Sequence, residues 1–344
     1  MERKKHILVS GGMGYIGSHT VVALQEEDYE VLIADDLSNS NATVLDNIES
    51  ITGKRPLFEQ VNLADAEQCH QLFQHFDFEA VIHFAAKKYV NESVQDPLLY
   101  YKTNFCSTLN ILQEMHLHHV RNFIFSSSCT VYGEPDKLPV TEESPVKKAM
   151  SPYGNTKQVI EEILEDCCKA YPVLNVIALR YFNPIGAHPS GKIGEIPHGI
   201  PQNLLPYLTQ TAIGIRECLS VWGDDYDTPD GSCIRDYIHV FDLAKAHVCA
   251  MKRLIAGNRP DNYEVFNVGT GNGFSVLELI HTFEKATGVK LNYQIKGRRE
   301  GDIPQIWADT TKANNVLGWK AEYSLEEMLR TAWNWEQKMQ SQDK

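Results

Sequence analysis

The sequence predicts an α/β fold: a doubly wound parallel sheet, followed by a smaller C-terminal α/β region. Three observations carry the prediction. Short β-branched runs alternate with longer helical stretches up to Phe182, a glycine-rich turn joins the first run to the first helix, and proline and glycine crowd the chain after Phe182. The 344 residues amount to roughly two domains. With 43% hydrophobic and 22% charged residues the chain can bury a large core, and no stretch approaches the ~18 apolar residues of a membrane span.

The expected strands are 7–10, 30–35, 57–62, 80–84, 122–128 and 175–182. Between them lie expected helices at 15–27, 65–76, 97–118 and 152–171; the last begins Ser151-Pro152, an N-cap followed by proline at the first helical position. Strands joined by crossover helices in this order make a doubly wound sheet. We assign residues 1–182 to a dinucleotide-binding domain. Residues 183–344 mainly form a substrate domain, with some segments returning to the first. This second region carries runs at 219–222, 240–256, 265–268 and 276–287, and a soft tail is expected from Gln340.

Charge and cysteine usage narrow the function classes. Lys plus Arg number 32 against 45 Asp plus Glu, a balance of −13 with no basic stripe, which speaks against nucleic acid and requires that a polyanionic ligand be held by a few placed cations. The eight cysteines form no C-x-x-C pair and suggest free thiols in a reducing cytosol. The start MERKK-HILVS breaks into glycines at Gly11 before a signal-peptide core is complete, so no export signal is expected. His116, His118 and His119 lack Cys or carboxylate partners at ligand spacing and are read as a solvated helix end; no metal is expected.

The turn after the first strand is the strongest local signal. Gly12-x-Gly14-x-x-Gly17, preceded by Gly11, sits between strand and helix, where glycines let backbone approach a pyrophosphate held at the helix N-terminus. Asp35 closes the second strand 18 residues past Gly17, placed to accept from ribose hydroxyls and to repel a 2′-phosphate. The cofactor expected is therefore NAD, in a Rossmann-type domain.

Tyr153 and Lys157 form the one Tyr-x-x-x-Lys spacing in the chain. They share one helical face and follow the strand ending Ser126-Ser127-Ser128, whose carboxyl end faces the ligand side of a parallel sheet. Lowering a phenol from ~10 to ~7 takes about 4 kcal/mol. A cation ~4 Å away supplies roughly that at an effective dielectric of ~20, and an oxidised nicotinamide adds a second positive charge. Such a phenolate can take a carbinol proton while Ser128 hydrogen-bonds the oxygen.

GGMGYIG at Gly11, SSSCTVYG from Ser126, SPYGNTK ending at Lys157, RYFNPIGAHPSG from Arg180, IRDYIHVFDLA from Ile234 and REGDIPQIWAD from Arg299 together resemble the extended short-chain dehydrogenase/reductase family. Within it they are most similar to the UDP-galactose (UDP-glucose) 4-epimerases. The likeness runs from about Ile7 to Trp335. It implies an isomerase that inverts C4 of a UDP-hexose through a 4-keto intermediate, with NAD kept bound between turnovers. It implies Ser128, Tyr153 and Lys157 as the catalytic set. Around NAD it implies Gly11, Gly14, Tyr15, Ile16, Gly17, Asp35, Asp36, Asn39, Ser40, Asn62, Leu63, Phe84, Ala85, Lys88, Thr103 and Phe182. On the UDP-sugar it implies Asn183, Asn203, Leu204, Ser220, Val221, Trp222, Arg235, Arg299, Asp302 and Ile306. Arg235 and Arg299 would be the placed cations that grip a diphosphate; Trp222 is either a uracil wall or core. A cytoplasmic homodimer is implied, paired through the helices at 97–118 and 152–171, although Leu109, Ile111, Leu112, Ile160 and Ile163 on them suit an intramolecular core equally.

Three positions depart from that pattern. Asn62 stands where Asp commonly meets adenine, and its amide oxygen can still accept. Thr103 stands in place of Asn. Ile306 stands where a bulky Tyr in some relatives closes the sugar pocket, which leaves N-acetylated UDP-sugars, or UDP-glucuronate, open as substrates. Related sugar-nucleotide dehydratases carry Asp-Glu immediately after the serine; Cys129 and Thr130 here are poor acid and base, which disfavours a dehydratase or decarboxylase. A non-enzymatic NAD-binding protein is disfavoured because Tyr153 and Lys157 are both present.

Overall fold

The computed structural model describes residues 5–257, 259–299 and 301–342. The first half runs β1 (Lys5–Ser10), α1 (Tyr15–Glu26), β2 (Val31–Asp35), α2 (Thr43–Thr52), β3 (Leu57–Gln60), α3 (Ala66–His75), β4 (Asp77–His83), α4 (Val90–Gln95), α5 (Pro97–Leu117), β5 (Asn122–Ser128), α6 (Pro152–Ala170) and β6 (Asn175–Tyr181). The second half runs β7 (Asn183–Ile185), α7 (Leu204–Ala212), β8 (Leu219–Trp222), β9 (Ile234–Arg235), β10 (Tyr237–His239), α8 (Val240–Ala256) and β11 (Tyr263–Val268). It ends with β12 (Phe274–Ser275), α9 (Val276–Thr287), β13 (Tyr293–Lys296), β14 (Gln305–Ile306) and α10 (Leu325–Gln342).

Seven strands form one parallel sheet in the order β11-β6-β5-β4-β1-β2-β3. Strand order reverses between β1 and β4, the switch point outside whose carboxyl ends parallel sheets bind ligands. Both faces are apolar because helices cover both. Ile7 and Val9 pack with α1, α2 and α8 through Val21, Val22, Leu45, Ile48, Leu243 and Met251. Leu8, one residue out of phase, packs with α3, α5 and α6 through Leu72, Phe73, Ile111, Met115, Ile160 and Leu164. Each fully buried side chain of this size contributes roughly 1.5–3 kcal/mol.

The helix starts follow their side chains. Asp65 caps α3 through the Glu67 and Gln68 amides, Ser151 caps α6 through Gly154 with Pro152 behind it, and Ser275 with Glu278 closes a capping box on α9. The tail expected to be soft over 340–344 is instead helical through Gln342, and residues 343 and 344 lie outside the described residues. β11 lies in the first sheet beside β6, while a separate core gathers Leu205, Leu208, Val221, Leu279, Phe283 and Leu329. No helix among the described residues is long and apolar enough to cross a membrane.

Candidate active site

The glycine turn is shaped by what a Cβ would strike. At Gly17 it would lie 2.3 Å from the Gly11 carbonyl oxygen, and at Gly11, which has φ +70°, 2.8 Å from the Ala85 amide nitrogen. β1, β4 and α1 therefore meet backbone to backbone. The Phe84 and Ala85 amides both donate to the Ser10 carbonyl. Helix α1 opens at Gly14 with no side-chain cap and no acid in its first turn, which leaves Tyr15, Ile16 and Gly17 at a helix start suited to an anion. The cradle fits a dinucleotide pyrophosphate.

Asp35 ends β2 beside this turn, but its carboxylate is already engaged. Oδ2 accepts from the Met13 amide at 3.1 Å, and Oδ1 accepts from the Leu37 amide at 2.9 Å and the Ser40 hydroxyl at 2.8 Å. Three of about four lone-pair positions are filled, so one is left for a ribose hydroxyl rather than the two expected from sequence. Burial raises this carboxyl's pKa above the ordinary value. Asp36 and Asn39 are exposed. The Asn62 amide oxygen accepts from the Ala64 amide at 3.0 Å, which occupies part of the acceptor expected to meet adenine. Leu63 is buried, with its carbonyl accepting from Asn110. Thr103 is half-buried; the neighbouring Asn104 is the one that pins the Phe84–Lys88 loop, accepting from the Lys87 amide at 2.8 Å and donating to Thr156 at 3.1 Å.

Ser128, Tyr153 and Lys157 converge at the carboxyl end of β5. Ser128 accepts from the Thr130 amide at 3.2 Å, and its hydroxyl lies near enough to the Tyr153 phenol to favour the ionised form. Lys157 is buried, donates to the Ser126 carbonyl at 2.7 Å and stands 5.9 Å from the Tyr153 ring centre. The charges fall differently from the sequence expectation. Burial pushes the phenol up to about 12, with Ser128 opposing, and pulls Lys157 down to about 7, with Glu161 opposing. One lysine does not offset the desolvation of both groups, so further positive charge beside the ring is needed for a phenolate at neutral pH.

Glu161, one turn beyond Lys157, was not anticipated. Its carboxylate accepts from Arg180 Nε at 3.0 and 3.2 Å, from Arg180 Nη2 and from the Ser127 hydroxyl, and Arg180 Nη1 donates to the Tyr132 hydroxyl at 3.1 Å. The available signal was its i+4 spacing from Lys157 on the inward face of α6.

On the other side, the β9–β14 register sets Arg235 beside Ile306. Arg235 is half-buried and donates to the Ile234 carbonyl at 2.8 Å. Ile306 is 3% exposed, packed among Phe182, Val131, Tyr132 and Ala308. Arg299 is forked onto Asp302 at 2.7 and 3.2 Å, so this cation is neutralised within the chain. In β8 Ser220 is half-buried and Val221 is core, whereas Trp222 is 40% exposed and is not core. Asn183 is exposed, Leu204 half-buried, and Asn203 donates to Glu195 at 3.1 Å. Lys88 reaches the same Glu195 at 3.2 Å; burial depresses its ammonium, but the adjacent carboxylate outweighs that and holds it above the ordinary range. Glu195 thus ties an expected cofactor residue to an expected sugar-nucleotide residue. No sequence spacing pointed to it.

The chain is 48% identical over 330 residues to the UDP-glucose 4-epimerase of Dictyostelium discoideum, covering 96% of this chain and 95% of that one. It belongs to the UDP-glucose 4-epimerase family. A family model described as GDP-mannose 4,6 dehydratase matches residues 8–332. Among solved epimerases, that of Stenotrophomonas maltophila, with bound NAD and formylated UDP-arabinopyranose, superposes with a TM-score of 0.95 at 45% identity over 98% of this chain and 100% of that one. The Bifidobacterium longum epimerase, in complex with NAD+ and UDP, gives 0.92 at 46% over 97% and 98%.

Proposed function

We propose that this chain is an NAD-dependent epimerase that inverts C4 of UDP-glucose and UDP-galactose through a 4-keto intermediate. The observation that carries the reading is the Ser128, Tyr153 and Lys157 constellation at the carboxyl end of β5, on the same edge of the parallel sheet as the glycine turn after β1, in a chain that matches UDP-glucose 4-epimerases over 96% of its length. Residues 1–182 mainly hold NAD, and 183–344 mainly hold the UDP-sugar.

The glycine turn takes the pyrophosphate, Asp35 a ribose hydroxyl, and Lys88 the inner end of the dinucleotide. NAD, when bound, supplies the acceptor and donor of the C4 hydride. Tyr153 takes the 4-hydroxyl proton, directly or through Ser128, and returns it when the turned keto sugar is reduced on its other face. Lys157 as ammonium favours the phenolate. Arg235 grips the diphosphate, with Arg299 joining when it exchanges Asp302 for phosphate oxygens. The nucleotide is thereby held firmly and the sugar loosely, as inversion by one set of groups requires. Elimination of water is disfavoured: Cys129 stands where related dehydratases carry a carboxylic acid, and burial pushes its thiol up to about 12.

The test is to denature purified protein, assay the supernatant for NAD, and measure UDP-galactose conversion without added cofactor. Released NAD and cofactor-independent turnover are expected; stoichiometric consumption of added NAD refutes the scheme. Ile306, beside Arg235, sets the finer specificity, read by comparing UDP-glucose with UDP-N-acetylglucosamine and UDP-glucuronate in one assay. We further propose a cytoplasmic homodimer. Ile111, Leu112 and Ile160 are spent in the sheet-facing core and Ile163 packs against it, but Leu98 and Leu109 on α5 remain 78% and 46% exposed.

A further inference from the structure

We propose that His70, Glu114 and His118 form a binding site for a divalent transition metal of the zinc type, remote from the candidate active site. His118 was expected to be a solvated helix-end residue without partners. The fold supplies them: His70 from α3 and Glu114 from α5 bring their ligand atoms, with that of His118, within 4.8 Å of one another. His116 and His119 take no part in this cluster.

The geometry suits a small cation. Two bonds of about 2.0–2.1 Å at a tetrahedral angle place donor atoms about 3.4 Å apart. Glu114 Oε2 lies 3.0 Å from His70 Nδ1 and 3.6 Å from His118 Nε2. The Glu114 side chain is only 8% exposed, and its ion-pair partners among the described residues are these two imidazoles rather than a lysine or arginine. A buried carboxylate flanked by two imidazole nitrogens is a zinc-type ligand set, and the 40% and 32% exposure of the two histidines leaves the fourth position to water.

An outer partner is also in place. Gln74, one turn after His70, sets its amide 2.8 Å from His70 Nε2. Without metal, His70 donates from Nδ1 to Glu114 and accepts from the amide. With metal, Nδ1 presents its lone pair, the proton resides on Nε2, and the amide turned end for end accepts it. The site lies at the far end of α5 from the candidate active site. Asn104, which pins the loop carrying Lys88, is ten residues before Glu114, about 15 Å along the helix. A metal here clips α3 to α5 and stabilises the fold by mass action.

The test is calorimetric titration of Zn2+ into the full-length holoenzyme after chelator treatment and desalting, with thermal unfolding in parallel. One Zn2+ per chain and a raised unfolding temperature are expected. His118→Ala, at a partly exposed position, should weaken binding at least 100-fold with the circular dichroism spectrum and epimerisation rate unchanged. Gln74→Ala, which removes no ligand, should weaken it about 10–100-fold. No binding by the native chain, or His118→Ala and Gln74→Ala both binding as tightly as the native chain, overturns the proposal; the latter result would place the ion elsewhere on the chain.

Discussion

Replacing Glu161 by Gln isolates the buried ion pair behind Lys157, the lysine proposed to act beside Tyr153. Both side chains of the Glu161–Arg180 pair are 7% exposed. The glutamine keeps the shape and one acceptor oxygen but removes the charge, so Arg180 retains hydrogen bonds to that oxygen, the Tyr132 hydroxyl and the Glu142 carbonyl but loses its counter-ion. Orphaning one member of such a pair costs about 3–5 kcal/mol, a large fraction of the roughly 5–15 kcal/mol that holds a domain folded. Removing both charges, as in Glu161→Met with Arg180→Met, should cost far less than the two single changes added together, because neither desolvated charge remains. The assay is urea unfolding at pH 7.5 of Glu161→Gln and of the four proteins of the cycle: native, Glu161→Met, Arg180→Met and the double methionine variant. A second readout reaches the chemistry. Burial already brings Lys157 to about 7, and Glu161 opposes that fall, so the glutamine variant should lose its protonated lysine at lower pH. The alkaline limb of turnover against pH then moves to lower pH. A cost below about 1 kcal/mol for Glu161→Gln, or an unmoved limb, would refute the reasoning.

Tyr153→Phe should lower turnover by orders of magnitude while NAD stays bound, measured as activity per mole of protein-bound cofactor; near-native turnover would remove the phenol from the mechanism. Gly17→Ala drives a Cβ against the Gly11 carbonyl 2.3 Å away, so the purified variant should carry little NAD; full cofactor occupancy would contradict the cradle. His19, His83 and His239 are all pulled down by burial to about 3. The unfolded chain binds more protons between about 3 and 6.5, so their stability contribution is intact above 6.5 and falls as the pH drops. At pH 5.5 each costs about 1.4 kcal/mol, roughly 4 in all. The urea midpoint should fall clearly between pH 7.5 and 5.5, and an unchanged midpoint would show that these imidazoles charge without unfolding.

Much of this protein is legible in local pattern. The alternation of β-branched and helical runs, Pro152 behind Ser151, the glycines before Tyr15 and the four-residue spacing of Tyr153 and Lys157 are short-range features. Backbone sterics and helical periodicity fix their meaning within a few residues. The Arg235 and Ile306 motifs could be named from sequence, but their neighbourhood rests on strand register across 71 positions. Glu195 meets Lys88 across 107 residues and also holds Asn203, and His70 meets Glu114 across 44. No spacing rule reaches so far, because which helices pack together is decided by the apolar faces of the whole sheet. The charge state of the Tyr153–Lys157 pair was equally out of reach. Residue types give the attraction between a phenolate and an ammonium, but the larger effect is desolvation, and only the packed structure says how much water each group has lost.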